Sequence, residues 1–253
     1  MAEKKYTPMM QHYLKMKEEN PDSILFYRLG DFYEMFFEDA KLVSQELDLV
    51  LTGRSAGVEE KVPMCGIPFH AANSYIQRLV KKGYKVAICE QLEDPSSAKG
   101  LVDRGIIKII TPGTYMDATM DAKSTNYMAS CDVSSFEITV IYCELSTGEL
   151  KYQTLQRSLV ALQKALLEQN VSELVCPMTM DKKWMAALEE MDTMLISKHK
   201  KANIDSEDLP LLNGIESESL KEAFALLMAY LKDTQKQRID HFLPIESMDK
   251  DKV

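Results

Sequence analysis

Apolar positions recur with two different periods along the chain, and the changes of period predict its elements. Helical spacing predicts helices over residues 7–19, 71–82, 159–168, 182–190 and 220–231. Short apolar runs bounded by turn residues predict strands over residues 24–29, 49–52, 84–91, 106–111, 127–131, 136–145, 149–155, 173–176 and 193–197. Strands mixed with helices in this way predict an α/β fold.

The stretch 31–47 is predicted as a further helix. Asp31 is followed three residues later by Glu34, which is the form of a capping box, so Phe32 and Glu34 fall in the first helical turn. An apolar stripe continues at helical spacing through Phe36, Phe37, Ala40, Val43 and Leu47. The Gly- and Pro-rich residues 53–68 are predicted as an ordered loop, and Gly83 as the cap that ends the preceding helix.

The order of these elements predicts two mixed α/β domains. We predict a first domain over residues 1–116, a polar linker over 117–125, a second domain over 126–245 and the start of another linker over 246–253. In the second domain three successive strands, two of them joined by a turn at residues 146–148, precede alternating helices and strands. That order is typical of a sheet of the ribonuclease H type.

Composition is that of an ordinary folded protein, with 45% hydrophobic and 27% charged residues. No run approaches the roughly 20 apolar residues of a membrane span, and the first residues have no signal-peptide core, so we expect a cytoplasmic protein. The five cysteines are scattered without a CxxC pair, which predicts reduced, mostly buried thiols rather than disulfides or a zinc site.

The formal net charge is −9, so the surface as a whole does not attract nucleic acid, and any such contact must be local. Up to residue 118 the chain has 15 basic and 17 acidic side chains, and beyond it 15 and 22. The first part is therefore the better candidate for a contact with DNA.

Several segments, in a fixed order, carry a resemblance to a known family. They are LFYRLGDFYEMFFEDA (25–40), PMCGIPFHA (63–71), VAICEQLEDP (86–95), IITPGT (109–114) and ELSTGEL (144–150). Together they resemble the MutS family of DNA mismatch-recognition proteins, whose Phe-x-Glu motif follows a Gly-Asp pair. The resemblance covers essentially the whole chain and implies a mismatch-reading domain followed by a connector domain.

The resemblance implies that Phe32 is a wedge that enters a mispaired site from the minor groove, and that Glu34 shares a hydrogen bond with the displaced base. A mispaired step is cheaper to unstack than a paired one, so an apolar wedge kinks the duplex preferentially there. A carboxylate among phosphates penalises correctly paired DNA, whereas a mispaired base offers it a partner. On residue type alone, core packing is the competing interpretation for Phe32.

Further contacts are implied around the kink. Arg54, Arg104 and Lys108 are candidates for the DNA backbone, and Met64 for the minor groove. The alternative for each charged residue is a solvated surface position. His70 is a weaker candidate, since it can simply cap its helix.

The sequence contains no G-x-x-x-x-G-K-[ST] motif, so we expect no ATP hydrolysis by this chain and no bound cofactor. The family carries its ATPase, with ATP and magnesium, in its carboxyl-terminal part, and we expect the chain to be an amino-terminal fragment. The resemblance also implies a MutL-type partner for the second domain and a homodimer for the complete protein.

Two other classes of function stay open. The chain can be a protein-docking module with little DNA affinity of its own. It can also be a metal-dependent nuclease, which needs several carboxylates converging on Mg²⁺, and here Asp132 and Glu144 are the only obvious early candidates. Surface acidity is the simpler explanation for both residues.

Overall fold

The computed structural model describes residues 6–116 and 125–249. Two compact units are present, Met1–Thr111 and Pro112–Val253, each with one six-stranded mixed sheet and helices packed on it. The predicted α/β class with mixed sheets is thus confirmed. Most of the predicted linker, residues 117–124, lies outside the described residues. Among the described residues, no helix combines the length and the apolar character needed to cross a membrane.

The sheet of unit 1 is antiparallel except for one pair of strands. Its strands are β1 (Ser23–Leu29), β2 (Phe32–Phe36), β3 (Thr52–Arg54), β4 (Val62–Pro68), β5 (Lys85–Gln91) and β6 (Arg104–Ile110). They lie in the order β3-β4-β2-β1-β5-β6, and only β1 and β5 run parallel. Strand β2 therefore has a neighbour on each side, β4 and β1.

Three helices cover the two faces of this sheet: α1 (Pro8–Glu19), α2 (Phe37–Leu47) and α3 (Ala72–Lys81). Helix α1 begins with Pro8 after Thr7, whose hydroxyl accepts a hydrogen bond from the Met10 amide. Its buried side chains pack on the face that carries Leu25, Tyr27 and Phe36. Helix α2 lies against β4 and helix α3 against β5. They cover the opposite face of the sheet, which carries the alternate residues of each strand.

The predicted helix over 31–47 is wrong in its first third. Residues 32–36 form strand β2, and the helix begins only at Phe37, whose φ of 55° separates it from the strand. The capping-box pattern misled because Gly30, with φ 57°, allows a turn tight enough to pair Leu29 with Phe32. The predicted end of the helix at Leu47 is confirmed.

The predicted strand 49–52 and loop 53–68 are also corrected. Strand β3 begins only at Thr52, and strand β4 lies inside the predicted loop. The turn-like composition concealed β4, because Pro63, Gly66 and Pro68 interrupt its alternation. All seven residues nevertheless form a strand, and this strand joins β2 to β3.

The sheet of unit 2 has three antiparallel strands and then parallel ones. Its strands are β7 (Tyr127–Val133), β8 (Glu137–Glu144), β9 (Glu149–Gln156), β10 (Val171–Pro177), β11 (Leu195–His199) and β12 (Glu246–Ser247). They lie in the order β11-β10-β7-β8-β9-β12, with β10 parallel to β7 and to β11. The predicted turn at 146–148 is confirmed, and Gly148 takes φ 75° there. Strand β12 lies within residues 246–253, where the start of a linker was predicted, and pairs with β9.

Helices α4 (Leu159–Glu168), α5 (Lys182–Glu189) and α6 (Glu218–Gln235) complete unit 2. The predicted bounds of α4 are confirmed, whereas α6 is longer than the predicted 220–231. One core forms between the sheet and α6, and a second between the opposite face and α4 with α5. All five cysteines of the chain are free and buried, as predicted.

Candidate nucleic-acid interface

A tight hairpin joins β1 to β2, and Phe32 is the first residue of β2 after its turn. Residues Gly30 and Asp31 make the turn, and the Asp31 carbonyl accepts a hydrogen bond from the Phe69 amide at 2.9 Å. Phe32 is 46% exposed although it is the first residue of a strand with a neighbour on each side. The competing interpretation of Phe32 as a core residue is therefore wrong. Its ring is available to a partner.

Glu34 lies two residues further along β2 and shares the sheet face of Phe32. On the neighbouring strand β4, Gly66 is the register partner of Glu34. A Cβ added to Gly66 would lie 3.5 Å from Cγ of Glu34 and 3.9 Å from Cδ1 of Phe32. Both side chains thus lean over the same glycine, and they form one continuous patch.

Arg54 joins this patch from strand β3, which is separated from β2 by β4. Its Nη1 atom donates a hydrogen bond of 2.5 Å to Oε2 of Glu34. The Glu34 side chain is 15% exposed and that of Arg54 is 38% exposed. The patch therefore combines an exposed aromatic ring, a largely buried carboxylate and a cation at its rim.

The other face of the hairpin carries a second group of contacts, which the sequence did not predict. Nε of Arg28 donates to the Gly30 carbonyl at 2.6 Å, and Nη1 donates to Glu90 at 3.2 Å. The guanidinium carbon of Arg28 lies 3.7 Å from the centre of the Phe69 ring. Tyr33 donates its hydroxyl to Glu90 as well. Burial, and then this bond to Glu90, raises the pKa of Tyr33.

Three residues of this group lie in separate motif segments of the sequence. Arg28, Phe69 and Glu90 fall in three different segments of the four quoted for the first domain. Their spacing in sequence gives no sign that they meet, because the contacts depend on the order of the strands.

The remaining predicted contacts lie on β4 and β6 of unit 1. Met64 is half-buried on β4 beside the core under α1, at the register position of Phe36. Arg104 and Lys108 lie on β6, separated from β2 by β1 and β5. The structure therefore places Met64 on the same sheet face as Phe32, Glu34 and Arg54, and keeps Arg104 and Lys108 apart from them.

Arg104 and Lys108 are less exposed than solvated surface charges would be. Arg104 is only 7% exposed, and its guanidinium donates to the carbonyls of Arg28 and Val102. Lys108 is half-buried, and burial lowers its pKa. His70 is exposed in a short 3-10 helix ahead of α3, and α3 begins without a side-chain cap, so His70 does not cap it.

The arrangement of carboxylates in unit 2 does not favour a nuclease site. On β7 and β8, Asp132 shares a face with Met128, and Met128 pairs with Cys143. Glu144 follows Cys143 and therefore points to the opposite face. Asp132 accepts a hydrogen bond from Ser219 at 2.9 Å. Within residues 6–116 and 125–249, no group of three potential ligands is placed to hold a metal ion.

Comparison with known proteins gives consistent matches. Residues 7–119 match MutS domain I. The DNA mismatch repair protein MutS of Bacillus licheniformis is 45% identical over 246 residues, which are 96% of this chain and 28% of the relative. The corresponding proteins of Clostridium tetani and Bacillus subtilis are 44% and 43% identical, over 94% and 95% of this chain and 28% of each relative. The chain thus spans 28% of the length of these curated relatives.

Proposed function

The chain belongs to the MutS family, as the amino-terminal region that comprises domain I and the residues after it, and from this premise we propose that it recognises mismatched DNA in mismatch repair. Phe32 is the wedge at a mispaired or unpaired base, and Glu34 forms a hydrogen bond with the displaced base. The observation that carries the proposal is the exposure of Phe32 at the hairpin tip, beside Glu34 on one face of the sheet.

An exposed aromatic ring on a firmly paired strand suits a wedge. Stacking on a base contributes about 1–3 kcal/mol and depends little on which base is stacked. The ring can therefore serve many mispairs, while the cost of unstacking selects the weakly stacked step. Strand β2 is hydrogen-bonded to both neighbours, so the backbone behind the ring resists displacement.

Glu34 discriminates between mispaired and correctly paired DNA. Its carboxylate repels the phosphates of any duplex, and a displaced base compensates for this repulsion by donating a hydrogen bond. In correctly paired DNA the donors on the pairing edge of each base already bond to the partner base, whereas a displaced base frees them. The cost of approach is thus recovered chiefly at a mispair.

We propose secondary contacts for the other predicted residues. Arg54 is close enough to Phe32 and Glu34 to act at the same site. Met64 is proposed to contact the minor groove, and Lys108 the DNA backbone. For Arg104 a backbone contact requires that its guanidinium leave two carbonyl acceptors, so its contribution to affinity is expected to be the smallest of the three cations.

For unit 2 we propose a ribonuclease H-like connector that relays the DNA-bound state to an ATPase elsewhere in the complete protein and binds a MutL-type partner. The strand order supports this fold, because β7, β8 and β9 form an antiparallel meander, with β10 and β11 added in parallel beside β7. A homodimer of the complete protein is proposed on the same premise. A cytoplasmic location remains a prediction.

The test is a fluorescence-anisotropy titration of the 253-residue chain with matched and single-mismatch duplexes at low salt. We expect the mismatched duplex to bind more tightly, and Phe32→Ala to remove at least about fivefold of that preference. Phe136→Ala is the matched control, since Phe136 is 90% exposed on a hairpin of unit 2. Equal affinity of the parent chain for both duplexes contradicts the proposal, and partner binding without DNA affinity then favours a docking module.

A further inference from the structure

The ion pair between Arg54 and Glu34 makes the two oxygens of the Glu34 carboxylate unequal. Oε2 accepts the hydrogen bond from Arg54, whereas Oε1 accepts none from the part of the chain that the structure describes. Glu34 is largely buried, and a buried carboxylate without a partner is costly. Arg54 thus stabilises the charge on Glu34 and leaves one oxygen as a free acceptor.

Arg54 also fixes the direction of this free oxygen. A guanidinium is planar and donates in fixed directions, so it restrains a carboxylate more strongly than a flexible ammonium does. The restrained group lies beside Phe32, because both side chains lean over Gly66. A base that Phe32 displaces would therefore meet a carboxylate whose orientation is already set.

We propose that Arg54 is a positioning residue for mismatch discrimination, which holds Oε2 of Glu34 so that Oε1 is available to the displaced base. The inference rests on the proposed function of Phe32 and Glu34. It assigns Arg54 a role that differs from a contact with the DNA backbone. A backbone contact strengthens binding to every duplex equally, whereas a positioning role acts on the preference for a mismatch.

A double-mutant cycle separates the two roles. Parent chain, Arg54→Ala, Glu34→Ala and the double variant are titrated with matched and mismatched duplexes, and the ratio of the two affinities is measured for each. We expect Arg54→Ala to lower this ratio about two- to fivefold, as the energy of a partly exposed ion pair implies. In the Glu34→Ala background the same change should leave the ratio unaltered.

Two further variants complete the design. Arg54→Lys keeps the positive charge but not the planar donor, so we expect affinity for matched DNA close to that of the parent and a lower ratio. Arg78→Ala, which removes an exposed arginine from α3, is the control for a general loss of positive charge. Urea unfolding of each variant verifies that the fold is retained.

The outcomes separate this inference from the function on which it rests. If Phe32→Ala abolishes the mismatch preference but Arg54→Ala lowers both affinities by one factor, Arg54 is a backbone contact and the inference is wrong. An equal effect of Arg54→Ala on the ratio with and without Glu34 overturns it too. A parent chain without mismatch preference contradicts the proposed function, and the inference with it.

Discussion

The guanidinium of Arg28 stacks on the ring of Phe69, with 3.7 Å between its central carbon and the ring centre, on the hairpin face opposite Phe32. The same group donates to the Gly30 carbonyl in the turn and to Glu90 on β5. Arg28 thus links the hairpin turn to β5 and to the residue after β4, on the face opposite Phe32. A wedge needs this support, because a loosely held ring would yield to the base stack.

Replacing Arg28 by alanine should therefore weaken both the hairpin and the wedge. Loss of the charged hydrogen bonds and of the stacking contact is expected to cost about 1–3 kcal/mol of stability. Mismatch preference should fall although no proposed DNA-contacting group has been removed. Urea unfolding and the anisotropy titration measure the two effects. Unchanged mismatch preference in a folded Arg28→Ala chain would show that the tip does not need this support.

A second prediction concerns Gly113, near the start of unit 2. Its amide donates to Oε2 of the buried Glu173 at 2.9 Å, and an added Cβ would lie 2.9 Å from Cβ of Glu173 and of Met128. Neither neighbouring atom is the free end of a flexible side chain. We expect Gly113→Ala to destabilise unit 2 by about 1–3 kcal/mol through overpacking.

Tryptophan fluorescence during urea unfolding measures this effect, because Trp184, the single tryptophan of the chain, lies in unit 2. The control is Gly105→Ala in β6, where the added Cβ would meet the end of the flexible Leu92 side chain at 3.1 Å. The control should leave the Trp184 transition in place. A Gly113→Ala chain with the transition of the parent would mean that the segment can move aside.

Periodicity predicted unit 2 well because its strands and helices carry their own signals. Helix α4 has the predicted bounds, and the turn before Glu149 is where the sequence indicates. Unit 1 was less predictable. Residues 32–36 form a strand because β4 pairs with them, and no local signal revealed β4 behind its prolines and glycine.

The candidate site was predictable in identity but not in geometry. Phe32 and Glu34 followed from the resemblance, since residue type alone favoured core packing for Phe32. The contact between Arg54 and Glu34 joins two strands that are not adjacent, and the burial of Arg104 depends on carbonyls of distant segments. Such relationships arise from tertiary packing, which the spacing of residues along a chain does not encode.

The cysteines give a third prediction. Burial, with a smaller effect of Asp39, raises the pKa of Cys65 to about 11, and burial raises that of Cys89 and of Cys143 to about 12. The thiolate is the reactive form, so these thiols should be inert in the folded chain. We expect a chromogenic disulfide reagent at about pH 8 to label no thiol rapidly, and to label all five after unfolding in urea. Rapid labelling of one thiol in the native chain would show that its strand opens.

His12 on α1 leads to the fourth prediction, which concerns pH. Its Nδ1 atom lies 2.8 Å from the hydroxyl of the buried Tyr27. Burial, and then the positive charge of Arg104, lowers the pKa of His12 below its ordinary value of 6.5. Lys15 adds to this effect, and the nearby carboxylates of Asp103 and Glu19 oppose it.

The sign follows from linkage between protonation and folding. With its pKa lowered in the folded state, His12 takes up a proton more readily in the unfolded chain. Its contribution to the stability of unit 1 is therefore complete above about pH 6.5 and is lost as the pH falls from there through the folded-state pKa. Protonation also places a cation beside Arg104, so α1 should loosen from the sheet first.

Amide hydrogen exchange of α1 and β1 at about pH 7.5 and pH 5.5 measures this loss, after correction for the intrinsic pH dependence of exchange. We expect protection to decrease at the lower pH in the parent chain and to change less in His12→Gln, which cannot take up the proton. Tyr27→Phe removes the hydroxyl partner but keeps His12, so its pH dependence should persist. If His12→Gln loses as much protection as the parent, the acid sensitivity of α1 arises from another group.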